Sequence, residues 1–171
     1  MNENAATLIA PTEALASEFM GMAAEYRAAS DDRYQAAVED FPAYVRRLVE
    51  YSAGVNLPDG RVPSTTYWLA SGYHIIGRSS LRRRLTPQLE REGGHIGYDI
   101  RPSERRKGYG TLILKLTLEK ARESGLARVL ITCDADNVAS AKIIEKNGGE
   151  INGQAISDRS GKLISRYWLR L

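Results

Sequence analysis

The feature that most constrains the fold is a basic, glycine-containing segment between two apolar stretches. Residues 101–112 read RPSERRKGYGTL, and they lie between a β-rich run over 93–100 and a long apolar run over 108–124. The first run predicts a strand that Pro102 ends. The second predicts a helix that is apolar over so much of its circumference that it should be covered on two sides. The chain must therefore join a strand to a buried helix through a loop of concentrated positive charge.

A loop of this composition can bind an anion through its main chain. Its N–H groups and those of the first helical turn would converge on one point, where the helix dipole also favours negative charge. Without a Cβ, Gly108 and Gly110 let the backbone approach a bulky pyrophosphate, and Arg105, Arg106 and Lys107 supply positive charge. The segment matches neither the Walker pattern nor the three-glycine dinucleotide pattern. A basic, solvated surface turn is the alternative.

The other segments alternate between predicted helices and strands, without an internal repeat or a linker. Strands are predicted at 7–10, 65–70, 73–81, 93–100, 127–132, 150–156 and 162–170, and helices at 13–29, 41–53, 108–124 and 137–146. The order β-α-α-β-β-β-α-β-α-β-β indicates an α/β domain around a mixed sheet. At 171 residues the chain is expected to form one domain.

Composition excludes several classes of protein. Hydrophobic residues make up 43% of the chain and charged residues 26%, which is typical of a globular domain. A net charge of +3 is too small to indicate nucleic-acid binding, and no segment is apolar enough for a membrane span or a secretory signal. Cys133, the one cysteine, cannot form an internal disulfide or a cysteine-rich metal site. We expect a cytoplasmic protein with no metal and with neither nucleic acid nor membrane as a partner.

Two segments together resemble the signature of the GNAT superfamily of N-acetyltransferases. Arg105-x-x-Gly108-x-Gly110 is similar to the superfamily's acyl-CoA pyrophosphate loop, R/Q-x-x-G-x-G/A, and it lies between the predicted strand and helix. Further along, NVASAKIIEKNGG at 137–149 is similar to the second motif, an asparagine that opens a helix ending in glycines. The order of elements matches over essentially the whole chain. The stretch GGHIGYxIRPSERRKGYG is typical of one branch of bacterial acetyltransferases.

The resemblance implies a fold and an activity. The fold is the GNAT α/β fold, here a single N-acetyltransferase domain over 1–171. Its mixed, mostly antiparallel sheet has about six to seven strands, about four flanking helices and splayed central strands. The activity is transfer of an acetyl group from acetyl-CoA, the cosubstrate, to a primary amine of a small molecule or peptide by direct attack in a ternary complex. A module that binds or senses acyl-CoA without turnover is the alternative. Monomer and homodimer both remain open.

The resemblance also assigns residues to the coenzyme. Main-chain groups at Asp99, Ile100 and Pro102 would pair with the pantetheine amides as an added strand does. The pyrophosphate would lie in the loop formed by Arg105, Arg106, Lys107, Gly108, Tyr109, Gly110 and Thr111. Asn137 and Ser140 occupy positions that contact the pantetheine or the phosphates in related enzymes. As alternatives, Asn137 caps a helix and Ser140 only permits close helix packing.

For the groups that transfer protons, the sequence offers several candidates. Many GNAT enzymes place a tyrosine on the second-motif helix to protonate the leaving thiolate, and this chain has Ile144 there. His95 has an ordinary pKa of about 6.5, which suits a base at neutral pH. Strand alternation, however, places it one position away from the base of related enzymes, and a packed structural histidine is the alternative. Tyr98, Glu104, Glu92 and a chain of waters remain open as proton carriers.

In this superfamily the acceptor pocket is built by the N-terminal helices, the early hairpin and the last two strands. Aromatic residues of those segments are therefore expected as its walls: Tyr26, Tyr34, Tyr44, Tyr67, Trp68, Tyr73 and Trp168. Acidic residues between the first two helices would suit a cationic amine near the mouth, although a solvated loop is the alternative: Asp31, Asp32, Glu39 and Asp40. The sequence does not name the acceptor.

Overall fold

A computed structural model describes residues 5–171 of the protein as seven strands and six α-helices. The strands are β1 (Thr7–Ile9), β2 (Ser64–Ser71), β3 (His74–Arg82), β4 (Ile96–Ile100), β5 (Arg128–Asp134), β6 (Glu150–Ile156) and β7 (Leu163–Arg170). The helices are α1 (Ala16–Ala28), α2 (Gln35–Glu39), α3 (Phe41–Ala53), α4 (Pro87–Arg91), α5 (Tyr109–Glu123) and α6 (Val138–Lys146). Each predicted helix and strand is present. None of the helices in this part of the chain has the length and apolar character that a membrane crossing requires.

Two elements were not predicted, and both are one-turn helices. Short helices give little periodic signal, but α4 carries a local one: Thr86 accepts a hydrogen bond from the Leu89 N–H, and Pro87 is the first helical residue. The strand predicted from residue 93 begins only at Ile96. The reason is that Gly93 and Gly94 have φ angles of 110° and 60°, outside the extended region.

The strands form two antiparallel sheets, one with the order β1-β2-β3-β4 and the other with the order β5-β7-β6. They meet where β4 begins. There the His95 N–H donates to the Leu130 carbonyl oxygen at 2.7 Å and the Gly93 N–H donates to Thr132 Oγ1 at 2.9 Å. Beyond this point no ladder joins β4 to β5 within residues 5–171. The predicted α/β architecture with splayed central strands is confirmed.

Helix α5 packs against both sheets. Ile113 is fully buried beside Leu69 and Ile76 of the first sheet. Leu114 and Leu118 lie on its other side, in the cluster that contains the second sheet's residues. This is the two-sided burial expected from the sequence, and it fixes the start of α5 beside the end of β4, where the basic loop lies.

Candidate active site

The basic loop presents a row of main-chain donors. Arg106 and Gly108 have φ angles of 60° and 86°, and left-handed residues in such a loop turn successive N–H groups toward one side. In the part of the chain that the structure describes, the six N–H groups of residues 106–111 have no hydrogen-bond partner. The first turn of α5 supplies the last of them. The arrangement suits a polyanion that accepts several hydrogen bonds.

The three cationic side chains of the loop are not equivalent. Arg105 turns inward, where its Nε donates to the Ile100 carbonyl oxygen at 3.2 Å and its guanidinium lies over the Tyr26 ring. Lys107 pairs with Glu104, with Nζ and Oε2 3.0 Å apart. Arg106 forms no ion pair with any residue from 5 to 171 and lines the cavity beside the loop.

Gly110 has a packing role that the sequence did not reveal. A Cβ at Gly110 would stand 2.5 Å from Cδ1 of Ile143 on α6. Real contacts of this kind are never so short, so the absence of a side chain lets α5 and α6 approach. A Cβ at Gly108, by contrast, would meet nothing within 4 Å. The left-handed φ of Gly108, not close packing, requires glycine there.

Three cavities surround the divergence of β4 and β5. The loop cavity, of about 430 Å³, lies beside Arg106, Gly110 and Ile143. The gap cavity, of about 350 Å³, lies between Gly97 of β4 and Thr132 of β5. The loop and gap cavities share three lining residues: Tyr98, Asn137 and Ser140. A third cavity, which we call the arginine cleft, has about 410 Å³ and adjoins the gap cavity.

The register of β4 decides which of its main-chain groups face the gap. The Arg101 N–H donates to the Ile76 carbonyl oxygen, and the Arg82 N–H donates to the His95 carbonyl oxygen. Residues 95 and 101 lie just beyond the two ends of β4, and hydrogen-bonded pairs alternate along an antiparallel ladder, so the odd-numbered residues of β4 form the hydrogen-bonded pairs with β3. The main-chain groups of Asp99 therefore point to β3, not to the gap as the resemblance implied. Those of residues 96, 98 and 100 point away from β3.

The side chain of Asp99 is also engaged. It accepts hydrogen bonds from the hydroxyls of Tyr26 and Tyr34, and Arg33 lies 3.7 Å from its Oδ2. The pKa of Tyr34 is raised well above its usual value, mainly by burial and to a smaller extent by the charge of Asp99. Pro102 opens a single 3-10 turn over Pro102–Glu104. Through Asp99, Tyr26 and Tyr34 join the end of β4 to α1 and to the residue that precedes α2.

Asn137 and Ser140 lie together at the start of α6. The Asn137 side chain accepts a hydrogen bond from the Ser140 N–H at 3.0 Å, which is the capping role foreseen as an alternative. Both residues also line the loop cavity and the gap cavity. Capping therefore leaves them in reach of a ligand that passes between β4 and α6.

Tyr98 is one of two candidate proton carriers that the structure places at the gap, and Glu92 is the other. Its hydroxyl lies 2.9 Å from Ser140 Oγ, and its side chain lines both the loop cavity and the gap cavity. Burial raises the pKa of Tyr98 to about 12. The phenol therefore holds its proton at neutral pH and can donate it. Ile144, where related enzymes carry a tyrosine, is fully buried in the core.

His95, the residue before β4, does not line any of the three cavities at the gap. It lines a separate cavity with Trp168, and its Nδ1 accepts a hydrogen bond from the Leu130 N–H at 2.9 Å. Burial lowers its pKa. The neutral ring therefore uses its free lone pair on the backbone and carries its proton on Nε2, which agrees with the structural alternative.

Two carboxylates complete the set of candidates. Glu104 does not line any of the three cavities at the gap; it is bonded to Lys107 and to His74, whose Nε2 lies 3.2 Å from its Oε1. Glu92 lines both the gap cavity and the arginine cleft. It accepts hydrogen bonds from Ser157 and Arg159, both at 2.7 Å.

The aromatic and acidic residues expected around an acceptor are mostly used elsewhere. The core between α1, α3 and the first sheet contains Tyr26, Tyr34, Tyr44 and Trp68. Tyr44 also lines the arginine cleft, and Tyr26 also lines the loop cavity. Tyr73 is 83% exposed at the hairpin tip. The acidic residues serve local structure: Asp40 caps α3 and Asp31 pairs with Arg33.

The structure gathers residues that the sequence analysis did not connect. Five arginines line the arginine cleft: Arg47, Arg61, Arg78, Arg82 and Arg159. They come from a helix, a loop, one strand and a turn. The strand predicted at 73–81 contains Arg78 but ends one residue before Arg82, whereas β3 of the structure includes both. Residues 5–171 contain no cluster of potential metal ligands.

The sequence matches one protein-family model, the acetyltransferase (GNAT) domain, over residues 13–150. A search among curated proteins finds no significant match. The family match spans the loop, the gap between β4 and β5, and most of the arginine cleft.

Solved structures of acetyltransferases share the fold. RimL, a ribosomal L7/L12 alpha-N-protein acetyltransferase in complex with coenzyme A, gives a TM-score of 0.72 at 18% identity over 96% of this chain and 93% of its own. RimJ from Mycobacterium smegmatis, in complex with CoA-disulfide, gives 0.76 at 15% identity, covering 98% and 83%. MccE, the microcin C7 self-immunity acetyltransferase in complex with acetyl-CoA and AMP, gives 0.72 at 16% identity, covering 99% and 94%. At these identities the likeness establishes the fold.

Proposed function

This chain belongs to the GNAT family of acetyltransferases, and we propose that it moves an acetyl group from acetyl-CoA to a primary amine. The observation that carries the proposal is the row of six unpartnered N–H groups at residues 106–111, at the start of a 15-residue helix. A pyrophosphate has the charge and the acceptors to satisfy them. The enzyme is proposed to act as a single domain in a bacterial cytoplasm.

The coenzyme would enter through the loop cavity and reach the gap cavity between β4 and β5. Main-chain groups of Tyr98 and the N–H of Ile100 are free for the pantetheine amides, because β4 has no partner on that edge. The Ile100 carbonyl oxygen already accepts from Tyr26 and Arg105. Asn137 and Ser140 border the same path. RimL, RimJ and MccE, which share the fold, bind coenzyme A, CoA-disulfide and acetyl-CoA respectively, and this supports the placement.

The transfer needs one proton removed and one supplied. The amine nitrogen loses a proton and bonds to the thioester carbonyl carbon, after which the carbon–sulfur bond breaks and the thiolate leaves. We assign proton removal to Glu92, directly or through a water, because it is the carboxylate that borders both the gap cavity and the arginine cleft. We assign proton donation to Tyr98, whose hydroxyl stays protonated.

Two measurements test this function. Acetyl-CoA at 100 times its Kd should stabilise the protein by about 2.7 kcal/mol, and thiol release should depend on an added amine. The primary amines to include are those of small molecules and of peptides, since RimL is an alpha-N-protein acetyltransferase. Binding without amine-dependent release would show a module that senses acyl-CoA instead. Absence of binding would refute both functions.

A further inference from the structure

The arginine cleft is built from four parts of the chain. Arg78 and Arg82 project from the same face of β3, because they are four residues apart on one strand. Arg47 comes from α3, Arg61 from the loop before β2, and Arg159 from the turn between β6 and β7. Five cationic side chains thus converge on one cavity of about 410 Å³.

Little negative charge balances them. Glu92 is the one carboxylate among the lining residues, and it pairs with Arg159, whose Nη2 lies 2.7 Å from Glu92 Oε1. Within residues 5–171, Arg47, Arg61 and Arg82 form no ion pair. The cleft therefore carries an excess of positive charge that nothing in the described chain neutralises.

Arg78 has one unsatisfied donor in the cleft. Its Nε is buried without a hydrogen-bond partner in the described structure. Its Nη1 is 4.0 Å from Oδ2 of Asp99, and Arg33 competes for the same oxygen at 3.7 Å. A buried donor left unpaired is costly, so this site favours a ligand that brings acceptors.

The arginines are close enough to repel one another. Burial first, and then the charges of Arg78, Arg61 and Arg159, lower the pKa of the Arg82 guanidinium. Its Nη1 donates to the Gly94 carbonyl oxygen at 3.2 Å, which holds it at the edge of the gap. An anion in the cleft would relieve this repulsion.

The position of the cleft separates it from the coenzyme's phosphates. It shares Arg82, Glu92, Gly93 and Arg159 with the gap cavity and no lining residue with the loop cavity. With the pyrophosphate at the loop, the thioester at the inner end of the coenzyme would lie in the gap cavity, between the loop cavity and the arginine cleft. The cleft is where the body of the acceptor would lie.

We infer that the acceptor is an anionic amine, which places one or more carboxylate or phosphate groups in the arginine cleft while its amino group reaches Glu92 and the gap. This inference rests on the proposed function, because it names the acceptor of that reaction. Such an amine is found at the N-terminus of an acidic peptide or on a small phosphorylated molecule. Both share the chemistry that the five arginines recognise.

The test compares acceptors of different charge, and the aspartate and asparagine peptides among them have nearly the same shape. One set of peptides begins with serine followed by three aspartates, three asparagines or three lysines, and a second set pairs phosphoethanolamine with ethanolamine. For the peptides we expect kcat/KM to be about tenfold or more higher with aspartate than with asparagine, and lowest with lysine, with the difference shrinking as salt is added. A preference within the second set alone would identify a small phosphorylated acceptor.

Two double variants assign the preference to the cleft. Arg47→Gln with Arg61→Gln should reduce the preference to about threefold or less, mainly through KM. Arg83→Gln with Arg84→Gln removes the same charge from exposed neighbours that do not line the cleft, and should leave the preference intact. A preference unaffected by the first pair would overturn the inference.

The outcomes separate the inference from the function beneath it. Transfer at equal kcat/KM to charged and neutral members of both sets would overturn the inference and leave the acetyltransferase intact. If no acceptor is acetylated while acetyl-CoA binds, the proposed function fails. The coenzyme A complex is then titrated with labelled aspartate peptide and with phosphoethanolamine. If either ligand binds, and the Arg47→Gln, Arg61→Gln double variant abolishes this binding, the anion site is supported. If neither ligand binds, the inference is refuted.

Discussion

The phenol of Tyr26 donates a 2.7 Å hydrogen bond to the carbonyl oxygen of Ile100 and so joins α1 to the strand beside the gap. Arg105 donates to the same oxygen, which uses both of its lone pairs. Burial, and then the charge of Asp99, raise the pKa of Tyr26 well above its usual value, so it remains a donor. The end of β4 is thus held in position before any ligand arrives.

Replacement of Tyr26 by phenylalanine tests that anchor. Tyr26→Phe should lower the free energy of unfolding by about 1 to 2 kcal/mol, because it removes the one proton that Tyr26 offers to the part-buried Ile100 carbonyl oxygen and to Asp99. Urea denaturation measures the loss. Tyr73→Phe is the matched control, since that hydroxyl is on an 83% exposed side chain. Equal losses in the two variants would contradict an anchoring role.

Gly108 should matter for the coenzyme and little for the fold. With φ at 86° and nothing within 4 Å of a Cβ, Gly108→Ala adds only the strain of the left-handed conformation, about 1 to 2 kcal/mol. An exposed loop can escape that strain by changing shape, so we expect acetyl-CoA affinity to fall about 5- to 30-fold in calorimetry. Gly125→Ala, with φ of 87° and equally open surroundings at the end of α5, should leave affinity unchanged. Wild-type affinity in Gly108→Ala would remove the loop from the coenzyme site.

For Gly110 we predict a loss of stability, because the atom nearest to an added Cβ belongs to the side chain of Ile143. Gly110→Ala should destabilise the protein by about 1 to 3 kcal/mol through overpacking against Ile143. Adding Ile143→Val deletes the Cδ1 atom that clashes, so the double variant should recover most of the unfolding free energy and of the acetyl-CoA affinity. If stability returns but affinity does not, Gly110 is needed for close approach of the pyrophosphate as well as for helix packing.

The sequence predicted the elements because their signals are local. Thr12 and Asn137 accept hydrogen bonds as N-caps, and Gly54 ends α3 in a left-handed conformation, as their positions in the sequence indicate. The coenzyme loop was also recognisable, since its glycines and charges are contiguous. These features depend on a few neighbouring residues, and tertiary contacts did not override them.

The sequence could not predict which distant side chains meet around one cavity, or which atom of a side chain faces a given partner. Arg47, Arg78 and Arg159 are far apart in sequence and meet only because α3, β3 and the turn after β6 surround one cavity. The role of His95 depends on which ring nitrogen the Leu130 N–H reaches, and that follows from the approach of two sheets. Periodicity carries neither kind of information.

The contact between Glu25 and the loop makes stability depend on pH. Glu25 accepts from Arg101 Nε at 2.6 Å and from the Ser103 N–H at 2.9 Å. Burial alone would raise its pKa, but the hydrogen bonds from Ser103 and Arg101 outweigh it and lower the pKa. A lowered folded-state pKa means that the contribution is present above the unfolded-state value of about 4.3 and is lost as pH falls below it.

Glu25→Gln should therefore be less stable than the wild type by roughly 1 to 2 kcal/mol at pH 7, with the difference shrinking below about pH 4. Thermal unfolding between pH 3 and pH 7 measures this convergence. Glu13→Gln, on an exposed side chain, should show no such trend. A constant difference across that range would mean that charge is not the source of the Glu25 contribution.

Tyr98 offers the sharpest test of mechanism, because its proton and its packing can be separated. Tyr98→Phe keeps the ring between β4 and α6 and removes the hydroxyl that lies 2.9 Å from Ser140 Oγ. If that hydroxyl protonates the leaving thiolate, kcat should fall about 100-fold or more while the Kd for acetyl-CoA changes little. Ser140→Ala removes the partner but leaves the proton, so its kcat should fall much less.

Because the pKa of Tyr98 is about 12, the wild-type kcat should show no loss from its ionisation up to pH 10. A Tyr98→Phe enzyme with normal kcat would assign the proton to water instead, since the hydrocarbon side chain of Ile144, where many related enzymes carry a tyrosine, has no acidic proton to give.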